Sequence, residues 1–547
     1  MWRRKAAELA RTARADPWRA AAALVAWATL GAMVAVVVSP WLGDWSTFGF
    51  HDWDVVTSFR YLVKLSLLEY GEFPGWNPFA CGGYPAWGYV EMDTVLVSPY
   101  LPAYLALPVQ WAIRIEAVGQ GLWGAVGAYV VASCFTKSHG ARLLVAALWA
   151  VNGRWGLQAA SGHTWHLAYA WTPWCLYFYE RARQHTGRLR HVVGAGICFA
   201  MLVYAGGIYP LPHTILLVGG YALVTAVADQ RLRPLLVLAA CGLVGFGLAA
   251  PKLLPVLHTL GSDPRLIASK ERLDLGAFVT LLTSRDQGFF SRPAQVHPYG
   301  WHEWGMYISP VGLGVLALSF VLVEGRRERA LKLVGAALVV LGFGAFHRHA
   351  PWTLLHEHLP IFRSQHVPSR FLYPAVLTLG LVAAAGLGRL VERHRRTRWL
   401  DLAVTVTVAA LALDVASVSR LPMKSAMWMV PPEIPAGRTF HFEHNPPFHY
   451  RKRDWAGPML LSMMANTGVI NCYGVPRDDE RPAAALPKGH RRYRGEVYVD
   501  GSGTAELTRW SPNEIEVSIR DAAPGALLVY NMNHRPGWRS DAGPVAA

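Results

Sequence analysis

Long apolar blocks constrain this chain more than any other feature. Ala20–Val38, Gly119–Phe135, Val311–Val323 and Phe371–Leu387 contain no charged residue. Blocks near twenty residues are the length at which a helix crosses a hydrocarbon core of roughly 30 Å. Only 16% of the 547 residues are charged and 53% are hydrophobic, with 23 Trp and a positive mean hydropathy. A soluble chain carries about a quarter charged residues. The expected fold is a polytopic, all-α membrane protein.

The net charge of +16 is spread in a way that argues against nucleic acid. Lys and Arg gather in short stretches between apolar blocks: Arg3, Arg4, Lys5, Arg11 and Arg14, then Arg181 to Arg190, Arg326 to Arg329, and Arg393 to Arg398. That is the positive-inside pattern, which sets orientation. The segmentation gives about 11 spans, near 19–41, 112–135, 141–158, 164–181, 191–207, 210–228, 233–256, 306–323, 330–346, 371–390 and 399–418. With the N-terminus cytoplasmic, every basic loop faces inward. The long loops 43–111, 257–305 and 347–370 then face outward, as does the tail from 420. The first block follows a basic start but lacks a small-residue cleavage site, so it reads as an uncleaved anchor. Val95–Val109 is apolar but broken by Pro99, Pro102 and Pro108, and reads as a re-entrant or interfacial segment.

Two domains are expected: a transmembrane domain over 1–419 and an extracytoplasmic β-rich domain over 420–547. In the second, Arg494–Val499 and Asn513–Ile519 alternate like half-buried strands, and Ala526–Tyr530 is a short apolar run. Of six Cys, Cys134, Cys175, Cys198 and Cys241 sit singly in apolar segments, where a thiol behaves as a small hydrophobe. Cys81 and Cys472 lie outside the spans and could pair. No metal-type Cys spacing is present.

His51-Asp52-Trp53-Asp54 directly follows the first span, and a helical stretch leads to Gly71-Glu72-Phe73-Pro74-Gly75-Trp76-Asn77-Pro78 and Gly82-Gly83-Tyr84-Pro85. A solvated loop acid, or an Asp52 cap on a helix beginning near Val55, is the plain reading of the carboxylates. A carboxylate at the membrane face is also suited to take a proton from an alcohol, or to bind a divalent cation through oxygen. A cation held among Asp52, Asp54, Glu91, Asp93 and His163 stays open, and no cofactor is otherwise indicated. Trp76, Trp87, Trp301 and Trp304 are suited to stack on sugar faces or to sit in an interfacial belt.

The order of these motifs resembles the YfhO-like bacterial membrane proteins of the GT-C glycosyltransferase superfamily. Further along, Gly162-His163 with Ala170-Trp171-Thr172-Pro173 is similar to the family's fourth span, and Glu303 before Tyr307-Ile308 to its later acidic position. Phe362-Arg363 with Pro368-Ser369-Arg370-Phe371 resembles its Arg-Pro-x-Arg-type stretch, and Arg535-Pro536-Gly537-Trp538 the Pro-Gly-Trp of its C-terminal β domain. The family's domain continues past that point, so the resemblance implies a β domain here that is truncated, short of its last strands.

The resemblance implies an inverting enzyme of the bacterial cytoplasmic membrane. It would move a sugar from a polyprenyl-phosphate donor to a glycan, lipid or protein acceptor on the outer face. Asp52, or Asp54, would be the catalytic base. Arg363 and Arg370 lie outward against the positive-inside trend and offer permanent charge and paired donors to a phosphate. Arg265, Lys270, Arg272, Arg285 and Arg292 are weaker candidates for that role. Glu303, His163, Trp76 and Asn77 complete the expected donor- and substrate-binding set. The alternatives are a transporter or flippase of a lipid-linked or anionic substrate, and a non-catalytic envelope assembly protein. The spans are nearly free of Asp and Glu away from their ends, which disfavours translocation.

Overall fold

Pro17 follows Asp16, whose side chain accepts a hydrogen bond from the Arg19 amide at 3.1 Å. The first long helix, Pro17–Val38, thus begins with a fixed φ and a satisfied amide. Proline also opens Pro210–Asp229 and the turn Pro368–Phe371. The computed structural model describes residues 16–546, apart from 50–51, 93–94, 185–187, 263, 289–299, 322–324, 395, 431–432, 435–438, 445–458 and 471–484. Five of its helical segments are long and apolar enough to cross a membrane: Pro17–Leu42, Pro210–Asp229, Arg233–Ser262, Pro368–Arg393 and Leu400–Met423.

Other expected spans are divided, for local reasons. The run 141–158 becomes His139–Ala150 and Gly153–Ser161. Asn152 makes the break. Its Nδ2 donates to the Leu148 and Trp149 carbonyls at 2.8 and 3.1 Å, and its Oδ1 accepts from the Arg154 amide at 3.1 Å. The run 164–181 starts as a 3-10 turn, Thr164–Trp171, and becomes α-helical from Thr172 to Gln184. Val95–Val109 is a 3-10 turn at Val95–Val97 and a six-residue helix at Leu101–Ala106.

The chain forms two compact units. One comprises residues 1–45, 114–250 and 266–427. Its spine is Leu400–Met423, which packs on Pro17–Val38, His139–Ala150 and Gly153–Ser161. Asp401 fastens one end, accepting from the Ser138 hydroxyl at 2.5 Å and the His139 amide at 3.2 Å. Gly156 fastens the other, where a Cβ would stand 2.0 Å from the Ser419 carbonyl oxygen. The apolar stretch within Pro368–Arg393 is almost wholly buried, whereas that of Arg233–Ser262 is mostly exposed. Such exposed apolar surface is what a helix presents to lipid.

The second unit joins residues 46–113, 251–265 and 428–547. Asp52–Leu65 is its longest helix lying wholly within these segments, so Asp52 stands in the first turn rather than capping a later start. A π turn, Ser66–Tyr70, closes at Gly71 with φ 66°, a left-handed conformation that glycine adopts at low cost. The chain then makes a small hairpin, with Trp76 opposite Pro85 and Asn77 opposite Tyr84. Asn513 and Asn533 clamp it: Asn513 Nδ2 donates to Glu72 and to the Phe73 carbonyl, and Asn533 Nδ2 to the Cys81 and Gly83 carbonyls. Trp538 packs edge-on against Trp76, with ring centroids 5.4 Å apart.

The strands of this unit include Val497–Asp500, antiparallel to Leu527–Tyr530, and Thr504–Trp510, antiparallel to Ile515–Arg520. Thr504–Trp510 carries a register shift between Leu507 and Arg509. Cys81 is disulfide-bonded, while Cys134, Cys175, Cys198 and Cys241 are free. Cys472 lies outside the described residues.

The glycine contacts set an expected outcome. Gly156→Ala should lower the unfolding midpoint in detergent by the equivalent of about 2 kcal/mol, because backbone must move. Gly242→Ala, with nothing within 4 Å of the added carbon, should leave it unchanged or slightly raised.

Candidate functional site

Glu303 sits in the one-turn helix Trp301–Trp304, placed by the Gly300 carbonyl, which accepts its amide at 3.1 Å. Its side chain is buried, and Oε2 accepts from Arg370 Nη2 in a short, charged hydrogen bond. His163 Nε2 stands 3.9 Å from the other oxygen, and His163 Nδ1 is 2.9 Å from Gln158 Oε1. Burial works against ionising Glu303, but Arg370, His163, His366 and His302 outweigh it and hold the carboxyl well below its usual range.

Arg370 is only 3% exposed. Its guanidinium carbon lies 4.1 Å from the Tyr209 ring centroid and 4.6 Å from that of Trp165. Nη2 is taken by Glu303, while Nε and Nη1 are buried and make no hydrogen bond among the described residues. Arg154, also buried, donates Nη1 to the Glu303 carbonyl at 3.1 Å. Its Nη2 donates to the Trp304 carbonyl at 3.0 Å and the Ser369 hydroxyl at 3.1 Å. Of these two buried guanidiniums, that of Arg370 bonds the Glu303 carboxylate, while that of Arg154 bonds backbone carbonyls and a hydroxyl.

The next acid, Glu271, accepts from the Ser269 hydroxyl at 2.5 Å and lies 3.8 Å from His366 Nδ1. Burial keeps the His366 pKa below its usual value. The segment leading into Arg370 is strained: Val367, β-branched, has φ 53° and ψ 69°. Such a residue in left-handed space costs on the order of 1–3 kcal/mol and marks places where geometry is imposed.

The sequence-selected residues divide. Glu303, Arg370 and His163 come together, whereas Arg363, a few residues before Arg370, is exposed. Arg265 pairs with Glu91, and Arg285 with Asp414. Lys270 and Arg272 are exposed, and Arg292 and Asp93 lie outside the described residues.

Asp52, Asp54, Trp76 and Asn77 belong to the second unit. Asp54 is buried, and its two oxygens accept from the Met459 amide at 2.5 Å and the Leu460 amide at 3.1 Å, at the start of the helix Met459–Met464. Asp52, two residues earlier, is partly exposed. Trp76 is largely buried against Trp538, and its amide donates to Asn513 Oδ1 at 3.0 Å. Asn77 is fully buried. Its Nδ2 donates to the Tyr84 hydroxyl and its Oδ1 accepts from the Phe79 amide, both at 2.9 Å, so its polar atoms brace the hairpin.

Sequence reasoning missed Arg154 and Gln158. Both lie in an apolar run that reads as a span, and an Arg inside such a run was itself the available signal. Among the described residues no three of His, Cys, Asp and Glu are grouped to hold a metal ion.

The fold therefore defines a polytopic membrane protein with a buried, positively charged cluster beside its apolar helices. No protein-family model and no curated protein matches the chain. Several solved structures overlap it in part. Arabinofuranosyltransferase AftD from Mycobacteria is 14% identical, with a TM-score of 0.45 over 82% of this chain. ArnT from Cupriavidus metallidurans is 14% identical, with a TM-score of 0.41, covering 72% of this chain and 74% of that one. The oligosaccharyltransferase AglB from Archaeoglobus fulgidus, in complex with an inhibitory peptide and a dolichol-phosphate, is 12% identical, with a TM-score of 0.45 over 82% of this chain. The chain spans 31% of the length of AftD and 65% of that of AglB.

A depressed carboxyl contributes stability that is present above its unfolded pKa and is lost as pH falls through the folded value. Glu303→Gln should therefore cost about 3 kcal/mol at neutral pH, since Arg370 is left without its counter-charge. In pH-dependent thermal unfolding the gap between Glu303→Gln and wild type should be constant from pH 6 to 8. It should begin to narrow as pH falls through the ordinary Glu range, about 4.3, and go on narrowing toward the depressed folded value.

Proposed function

We propose that this chain is a membrane glycosyltransferase that moves a sugar from a polyprenyl-phosphate donor to an acceptor at the outer face of a bacterial cytoplasmic membrane. The observation that carries the reading is the guanidinium of Arg370. It is buried, fixed on one side by Glu303, flanked by two aromatic rings, and has two further donor nitrogens without a hydrogen-bond partner among the described residues. Buried donors of this kind are costly unless an anion takes them, and a phosphate oxygen matches them in charge and geometry. Arg154 adds a second buried positive charge with no carboxylate bonded to its side chain among the described residues.

In this reading the acceptor hydroxyl oxygen attacks the anomeric carbon, and the bond from that carbon to the phosphate oxygen breaks. The electron pair leaves with the polyprenyl phosphate, whose charge Arg370 stabilises. The hydroxyl proton passes to Asp52. One displacement inverts the anomeric centre. Glu303 and His163 act as positioning residues: Glu303 holds the guanidinium, and His163, aligned by Gln158, faces Glu303. Asp54 holds Met459 and Leu460, so it serves the fold rather than the proton transfer.

Substitution separates these roles. In membranes supplied with a radiolabelled polyprenyl-phosphate sugar, Asp52→Asn should lower product at least about 100-fold at normal protein level, the scale of a lost general base. Asp54→Asn should instead lower the unfolding midpoint by the equivalent of about 1 kcal/mol, as for a lost helix cap. Arg370→Lys should raise the donor KM about tenfold or more. Full product from Asp52→Asn rejects the catalytic assignment.

A further inference from the structure

The second unit contains a cavity of about 680 Å³, within the usual range of small-molecule sites. One wall is apolar and fixed: Phe440 is buried and stacked on Trp510 with centroids 4.4 Å apart, and Val497 and Leu507 continue the surface. The other side is polar and preorganised. Glu496, buried, accepts from the Tyr493 hydroxyl at 2.8 Å and the Phe442 amide at 3.2 Å through one oxygen, and from Asn531 Nδ2 at 3.1 Å through the other. These bonds hold Tyr493 against the cavity. His441 Nε2 lies 3.1 Å from Glu443 Oε1, which fixes that carboxylate too. Lys488 stands exposed at the rim and forms no ion pair among the described residues.

The balance of these groups selects a ligand class. Two carboxylates on the walls, Glu443 and Glu496, against one ammonium disfavour a phosphate or another strong anion. A purely apolar ligand would strand the polar side. A saccharide has an apolar C–H face and an edge of hydroxyls that both donate and accept, which suits an apolar wall opposite fixed carboxylate, phenol and ammonium groups. Burial, outweighing the hydrogen bonds from Tyr493, Asn531 and the Phe442 amide, pushes the Glu496 carboxyl above its usual range. The cavity wall is thus a low-dielectric setting in which hydrogen bonds to a ligand gain strength.

We infer that this cavity is a saccharide-binding site that takes a neutral stretch of glycan. On the transferase reading above, on which this last step rests, that glycan is the acceptor. The site then adds binding energy remote from the bond being made, so it favours extended acceptors over short ones.

Isothermal titration of the full chain in nanodiscs with chitohexaose, cellohexaose and mannohexaose tests the site directly, whatever the reaction. At least one should bind, and Leu507→Trp, which fills the apolar wall, should weaken it tenfold or more. Lys488→Ala, at an exposed position where folding is not at stake, should weaken it several-fold. Leu507→Trp should also lower the ratio of transfer to a long acceptor over transfer to a monosaccharide acceptor by tenfold or more. Binding of none of the three overturns the inference, as does preferential binding of a hexalysine peptide or of inorganic phosphate in competition at this cavity. Saccharide binding that Leu507→Trp abolishes, in a protein whose Asp52→Asn variant keeps full product, supports the site and rejects the transferase reading instead.

Discussion

One buried ion pair, Arg370 with Glu303, organises the helical unit around its candidate site. Taking two charges out of water costs several kcal/mol each, and only close geometry with additional hydrogen bonds recovers that loss. The surroundings answer the requirement. The pair joins the one-turn helix Trp301–Trp304 to the turn Pro368–Phe371, and Arg154 reaches from Gly153–Ser161 to carbonyl oxygens on the first and a hydroxyl on the second. Tyr209 and Trp165 cover the guanidinium. Apolar helices alone would leave these segments free to slide, whereas a charged hydrogen bond with planar geometry admits one arrangement.

The helical class was legible in composition because a membrane-length apolar run has few other uses. Pro17–Val38, Pro210–Asp229 and Leu400–Met423 begin and end within a few residues of their expected limits. Where the reading diverged, a polar side chain had claimed the backbone. Asn152 splits a single apolar run by capping the helix after it and closing the one before, and hydropathy averaging does not register one amide. In the β region, Val497–Asp500 and Ile515–Arg520 lie where alternation indicated strands, and Leu527–Tyr530 where a short apolar run did. Thr504–Trp510 did not stand out, because its charged and polar residues face outward on both sides of a register shift.

The candidate residues show the same division between what a sequence carries and what only packing decides. Arg363 and Arg370 look equivalent as text, yet one is exposed and the other nearly sealed. Asp52 and Asp54 are likewise two residues apart on one helix, and the helical turn of about 200° between them sends them to different surroundings. Asp54 meets two backbone amides and behaves as a structural anion. Asp52, by contrast, is partly exposed. In the hairpin, Asn77 and Trp76 have the residue types of a sugar site but the contacts of a brace.

The clamping of the Gly71–Pro85 hairpin by Asn513 and Asn533 carries a consequence for how the protein is made. Its two halves are separated by more than four hundred residues of chain, and a ribosome adding about 5–20 residues per second needs on the order of twenty to ninety seconds to bridge them. For that interval Phe73, Trp76 and Phe79 exist without the later side chains that contact them. The unit is therefore completed only once Asn533 has been added to the chain. A premature stop anywhere before Asn513 leaves an aromatic hairpin unfinished rather than merely a shorter tail, and gives quality-control machinery a surface to recognise.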